Sequence, residues 1–197
     1  VHEPEPGVAE STTGAVITAL NEEAVVCAAL GNKGGLNLVV TYEAFAPKML
    51  GAVRQELIFA RHQMQAGRPP GWLGVPLVLT SHTWENAKNE QSHQDPTMAE
   101  ALMGEMADIS RVVFPPDANG AAAALAHAYA QRGTVTTLVV PKRPLPHELT
   151  PQQAKALAET GATCLAGDPA TAAILLVATG AYQLQEVRRA QARLLER

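Results

Sequence analysis

The chain has 197 residues, the size of one domain or one domain plus a fragment, and a formal net charge of -4 at neutral pH. Hydrophobic residues make up 47% and aromatics only 4%, so Ala, Val and Leu fill the interior, a balance that suits helices packed on a buried sheet. With no basic stripe, no apolar run of the ~18 residues a membrane span needs, and no signal peptide, the sequence argues against nucleic-acid and membrane partners and points to the cytoplasm.

In chain order, residues 1–13 read as a linker, rich in Pro, Glu, Gly, Ser and Thr and with little to bury. Residues 15–20 are apolar and short, either a strand or the start of the helix suggested by Asn21-Glu22-Glu23 and residues 24–30. Gly31 and Gly34-Gly35 then break the chain. Residues 36–42 read as a strand, and Pro47 sits where a helix can begin, with Met49, Val53, Leu57, Ile58 and Arg61 at helical spacing. Residues 75–79 form a continuous apolar run, consistent with a strand buried on both faces.

The polar segment 81–96 follows that strand. Residues 98–107 suggest a helix and 112–114 a short strand, after which Asp117 can cap an Ala-rich helix over 119–131. Residues 134–140 read as a strand. Thr150 can cap a helix over 151–160, with Pro151 at its tolerated first position. Residues 172–177 are expected to be a final strand and 182–195 a final helix. The alternation of apolar strands with helices predicts an α/β fold with a mainly parallel sheet between helical layers. Ligands of such sheets sit beyond the carboxyl ends of the strands. The loops carrying 81–96, Asp117 and Pro141-Lys142-Arg143 are expected to converge there.

Among individual residues, His93 has no second His or Cys at ligand spacing, which disfavours a metal and leaves a structural role or a proton-transfer or substrate-binding role. His62 and His127 fall in helical patterns and are expected at the surface. Cys27 and Cys164 form no metal spacing and are expected as reduced, mostly buried thiols. Glu22 and Glu23 lie near a helix start, where a solvated pair with a favourable dipole contact is the plain reading. The Gly31–Gly35 segment is a weak nucleotide signature, lacking the Gly-Lys-Ser/Thr ending. No Gly-x-Ser-x-Gly or Gly-x-Gly-x-x-Gly string occurs.

Six strings in order resemble the middle, pyrimidine-binding domain of thiamine-diphosphate-dependent phosphoketolases. They are Leu20-Asn21-Glu22, Thr41-Tyr42-Glu43-Ala44-Phe45, Trp84 with Asn89, Ser92-His93-Gln94-Asp95-Pro96, Phe114-Pro115-Pro116-Asp117-Ala118-Asn119 and Val140-Pro141-Lys142-Arg143-Pro144. The resemblance implies a three-layer thiamine-diphosphate-binding domain of the pyrimidine type over 14–165, after the 1–13 arm. It implies that 166–197 form the opening strand and helix of a C-terminal domain.

The resemblance further implies that Glu22 hydrogen-bonds the cofactor's aminopyrimidine ring and promotes loss of the cofactor's C2 proton, and that Phe45 stacks on that ring. Tyr42, Lys88, Asn89, His93 and Lys142 then contact sugar phosphate and inorganic phosphate, with Glu22 and His93 as the catalytic pair. Lys88 stands where the family usually has His, and Thr97 where it has Gly. No Gly-Asp-Gly followed by Asn is present to bind Mg and diphosphate. Thiamine diphosphate and Mg are therefore expected to be held mainly by a partner domain absent from this chain, in a longer polypeptide or another subunit of a homo-oligomer.

The implied reaction is cleavage of a ketose phosphate with inorganic phosphate to acetyl phosphate and an aldose phosphate, a lyase step of carbohydrate metabolism. Two alternatives are a transketolase-like ketol transfer on another acidic substrate, and a non-catalytic assembly or regulatory domain of the same fold.

Overall fold

A computed structural model describes residues 21–80 and 95–196. The first helix, α1 (Glu22–Gly31), starts where Asn21 Oδ1 accepts hydrogen bonds from the amides of Glu23 (2.8 Å) and Ala24 (3.2 Å), satisfying two of the open donors of the first turn. Strand β1 (Val39–Tyr42) runs into a 3-10 segment, Glu43–Met49, that leads without a break into α2 (Leu50–Gln65). Then come β2 (Val75–Thr80), α3 (Thr97–Met103), β3 (Ser110–Val113), α4 (Ala118–Ala130), β4 (Val135–Val139), α5 (Pro151–Thr160) and α6 (Ala181–Leu195).

Among the described residues all strand pairs are parallel and the order is β1-β2-β4-β3, with β2 and β4 central and β1 and β3 at the edges. Tyr42 is opposite Thr80, and Leu79 opposite Val139, which brings the carboxyl ends of β1, β2 and β4 into line. On one face Val26, Leu30, Met49, Val53, Leu57, Met98, Leu102 and Ile109 pack with Val39, Leu77 and Leu79 into a continuous core. On the other, α4 packs against β2 and β4 and α5 packs on α4. These are the three layers expected of a pyrimidine-type domain. Every residue of β4 is buried, Thr136 and Thr137 included, which explains why the strand shows no alternation of apolar and polar residues.

Four expectations differ in detail. Residues 172–177 form no strand; Ile174, Leu175 and Val177 are 63%, 65% and 75% exposed, and among the described residues no strand offers a hydrogen-bond ladder to the run. The helix expected over 98–107 stops at Met103, capped by Gly104. Both cysteines are free and exposed rather than buried: Cys27 lies one residue past Val26 and so turns away from the core face that Val26 and Leu30 share, and Cys164 lies in an exposed stretch after α5. His62 is exposed as expected, but His127 is half-buried, with Arg111 donating to its Nε2 at 2.8 Å. Among the described residues no helix is long and apolar enough to cross a membrane.

Candidate functional site

The site begins at the end of β1. Tyr42, Phe45 and Lys48 are three residues apart in the 3-10 segment and its lead-in, and at three residues per turn such positions eclipse one another. The Tyr42 and Phe45 rings stack with centroids 6.1 Å apart and planes 27° apart. Lys48 Nζ lies 5.2 Å from the Phe45 ring centroid. The same ammonium is 3.2 Å from Glu22 Oε2. At the other end of the row Lys142, just past β4, places Nζ 4.9 Å over the Tyr42 ring and donates to Tyr42 Oη at 3.3 Å. The chain of contacts Glu22–Lys48–Phe45–Tyr42–Lys142 thus follows the carboxyl edge from α1 to β4, across the end of β2.

Glu22 is the chemically distinctive member. It is the first residue of α1, where the open amides and the helix dipole favour a carboxylate. Its Oε2 is sealed from solvent and accepts no hydrogen bond from the described residues; the Lys48 contact is an ion pair without hydrogen-bond geometry. A sealed oxygen without a donor is costly unless something binds it. Its neighbour Glu23 is exposed, in keeping with a solvated role.

Of the residues singled out in the sequence, Glu22, Tyr42, Phe45 and Lys142 are brought into this row. Lys88, Asn89 and His93 lie outside the described residues. Asp117 belongs to the same edge but is turned inward: its carboxylate accepts from the amides of Gly120 (2.8 Å), Glu148 (2.7 Å) and Leu149 (2.8 Å). Asn119 donates to Leu149 O at 2.7 Å. The Pro-Pro-Asp-Ala-Asn string therefore staples the loop after β4 to the start of α4 and projects no acid toward a ligand. Lys48 drew no attention in the sequence. The three-residue step from Phe45 was the available signal, hidden because Pro47 suggested an α-helix beginning there. Among the described residues no group of three or more His, Cys, Asp or Glu is placed to hold a metal ion.

The edge thus offers a sealed carboxylate oxygen, a stack of two aromatic rings and two ammonium groups, which suits a flat, nitrogen-bearing ring beside an anionic substrate. The chain belongs to the D-xylulose 5-phosphate/D-fructose 6-phosphate phosphoketolase family, whose model matches residues 1–131. It is 39% identical over 84 residues to a probable phosphoketolase of Brucella abortus, covering 43% of this chain and 11% of that protein. With a probable phosphoketolase of Streptomyces coelicolor it shares 32% identity over 129 residues, 66% of this chain and 16% of that one. A probable phosphoketolase 1 of Rhizobium meliloti is 40% identical over 76 residues, 39% of this chain and 10% of that one. The matched stretches are thus a small part of these relatives' length.

Proposed function

We propose that the chain forms the pyrimidine-binding part of a phosphoketolase-type enzyme that cleaves a ketose phosphate with inorganic phosphate to acetyl phosphate and an aldose phosphate. The observation that carries this is the Glu22 carboxylate, sealed at Oε2 and without a hydrogen bond among the described residues, linked to the half-buried Phe45 ring through the Lys48 ammonium that lies 3.2 Å from the one and 5.2 Å from the centroid of the other. These residues fit thiamine diphosphate: Glu22 Oε2 can accept from a ring N–H of the aminopyrimidine, and Phe45 can stack on its face. When bound, the cofactor supplies the nucleophilic carbon that attacks the ketose carbonyl.

The chain's own residues then do the rest. Glu22, fixed at the helix start by Asn21, holds the ring's protonation pattern through one hydrogen bond. Phe45, backed by Tyr42, excludes water from the ring face. Lys142, anchored on Tyr42, presents an ammonium as a point charge for phosphate. Asn89 and His93, with Lys88, complete the substrate contacts in this reading, which for these three rests on the sequence strings. Diphosphate and Mg are held by a partner domain or subunit, since the chain lacks Gly-Asp-Gly followed by Asn.

The test is acetyl phosphate formation by the complete assembly. Glu22→Gln should lower turnover by about two orders of magnitude or more, the scale for losing a proton-transfer group. His93→Ala should lower it through substrate steps. Full activity in Glu22→Gln would remove Glu22 from the chemistry. A complete assembly that never processes sugar phosphate would leave a non-catalytic domain of this fold.

A further inference from the structure

Lys48 occupies the space in front of both groups that the proposed function assigns to the ring. Its Nζ is 3.2 Å from Glu22 Oε2 and 5.2 Å from the Phe45 centroid. A positive charge over an aromatic face and against a carboxylate satisfies the same two surfaces that an aminopyrimidine would, one through its face and one through an N–H. An incoming ring cannot share Oε2 and the Phe45 face with the ammonium.

We propose that Lys48 is a built-in competitor for the ring seat, an internal cation that must leave Glu22 and Phe45 before a pyrimidine can enter, and so sets the affinity of the seat. The inference rests on the ring-seat reading above.

The device is mechanically simple. The Lys48 side chain is 61% exposed, whereas that of Glu22 is 21% exposed, so the lysine can swing into solvent while the carboxylate stays. Its backbone is held, because Met49 next to it and Ala46 two residues before it are fully buried. The movement is confined to the side chain. In the closed arrangement the sealed oxygen has a counter-charge, which limits the cost of keeping it ready for a ligand. Both contacts are electrostatic at a partly exposed site, so they are individually weak and reversible, and salt screens them.

The experiment is a nuclear magnetic resonance titration of the full 197-residue chain with hydroxymethyl-aminopyrimidine, the ring half of thiamine, read on the Phe45 ring and Glu22 carboxylate signals. Lys48→Met should bind the ring about fivefold more tightly than the wild type, the scale of one weak ion pair plus one exposed cation–π contact. Lys48→Arg should resemble the wild type. Raising the salt should tighten binding to the wild type and leave Lys48→Met unchanged. Equal or weaker binding by Lys48→Met, with the Phe45 and Glu22 signals still moving, overturns the competitor role and leaves the seat. If those signals move in no variant, the seat itself is wrong and the proposal falls with it.

Discussion

Glu22 and Asp117 are both carboxylates at the start of a helix beside the carboxyl edge of one parallel sheet, and they are used in opposite ways. Asp117 caps α4 and accepts three backbone hydrogen bonds, two of them from residues more than 30 positions away. Glu22 heads α1 with one oxygen sealed and, among the described residues, without a hydrogen bond and answered only by a solvent-exposed lysine. Asp117 is buried and Glu22 half-buried, but Glu22 Oε2 is itself out of reach of solvent. What separates them is the count of donors. A carboxylate surrounded by amides is committed to the fold, whereas one that lacks donors in a sealed place is open to a ligand.

The strongest way to break that comparison is Asp117→Ala. The substitution removes a cap and leaves three amides without an acceptor, all of them in buried or half-buried backbone. We expect a loss of about 3–5 kcal/mol in urea denaturation, since each bond to a charged acceptor contributes roughly 1.5–3 kcal/mol and the contributions are not additive. A loss below about 1 kcal/mol would show that the staple is dispensable.

Tyr129 sharpens the comparison with a neutral group. Its hydroxyl donates to Asn37 O at 2.9 Å, tying α4 to the lead-in of β1. Burial raises its pKa above the ordinary 10.0. The unfolded chain therefore ionises first, so this contribution to stability is complete below pH 10 and is lost as the pH rises from there through the folded value. Tyr129→Phe should cost about 1 kcal/mol at neutral pH. It should also flatten the alkaline decline in a series of denaturation midpoints, and an unchanged decline would assign it to other groups.

Much of this was legible in the sequence where the cause is local. Asp117 and Thr150 were readable as caps because a short acceptor before an apolar helix has one common use, and Thr150 with Gln153 forms a full capping box. The buried strands were readable because parallel strands covered on both faces do not alternate. Residues 172–177 misled for the same reason: an apolar run states a preference for burial but cannot supply the neighbouring strand. Cys27 misled because residue type was weighed without its position on the helix. At the site, Glu22, Tyr42, Phe45 and Lys142 were visible as strings. The 3-10 turn over 43–49 that stacks Tyr42, Phe45 and Lys48 was not, because Pro47 sits inside it where a helix start was the simpler reading. Nor could the sequence tell that Asp117, beyond its cap, also accepts from the amides of Glu148 and Leu149, since these partners are distant in the chain.

The smallest expected effect belongs to Glu23. It is exposed beside Glu22, and Glu23→Gln should change both stability and activity within about 0.5 kcal/mol. An effect on turnover there, with none from Glu22→Gln, would shift the functional carboxylate by one residue.

The most direct test of the central claim, that Glu22 is kept for a ligand and Asp117 for the fold, is urea denaturation of Glu22→Gln beside Asp117→Ala. Glu22→Gln gives up one exposed-lysine ion pair and part of a helix-dipole contact, and relieves a sealed carboxylate oxygen. Its stability should stay within about 1 kcal/mol of the wild type, while Asp117→Ala falls by about 3 kcal/mol or more. A loss in Glu22→Gln as large as that in Asp117→Ala would make Glu22 a structural residue and contradict the account.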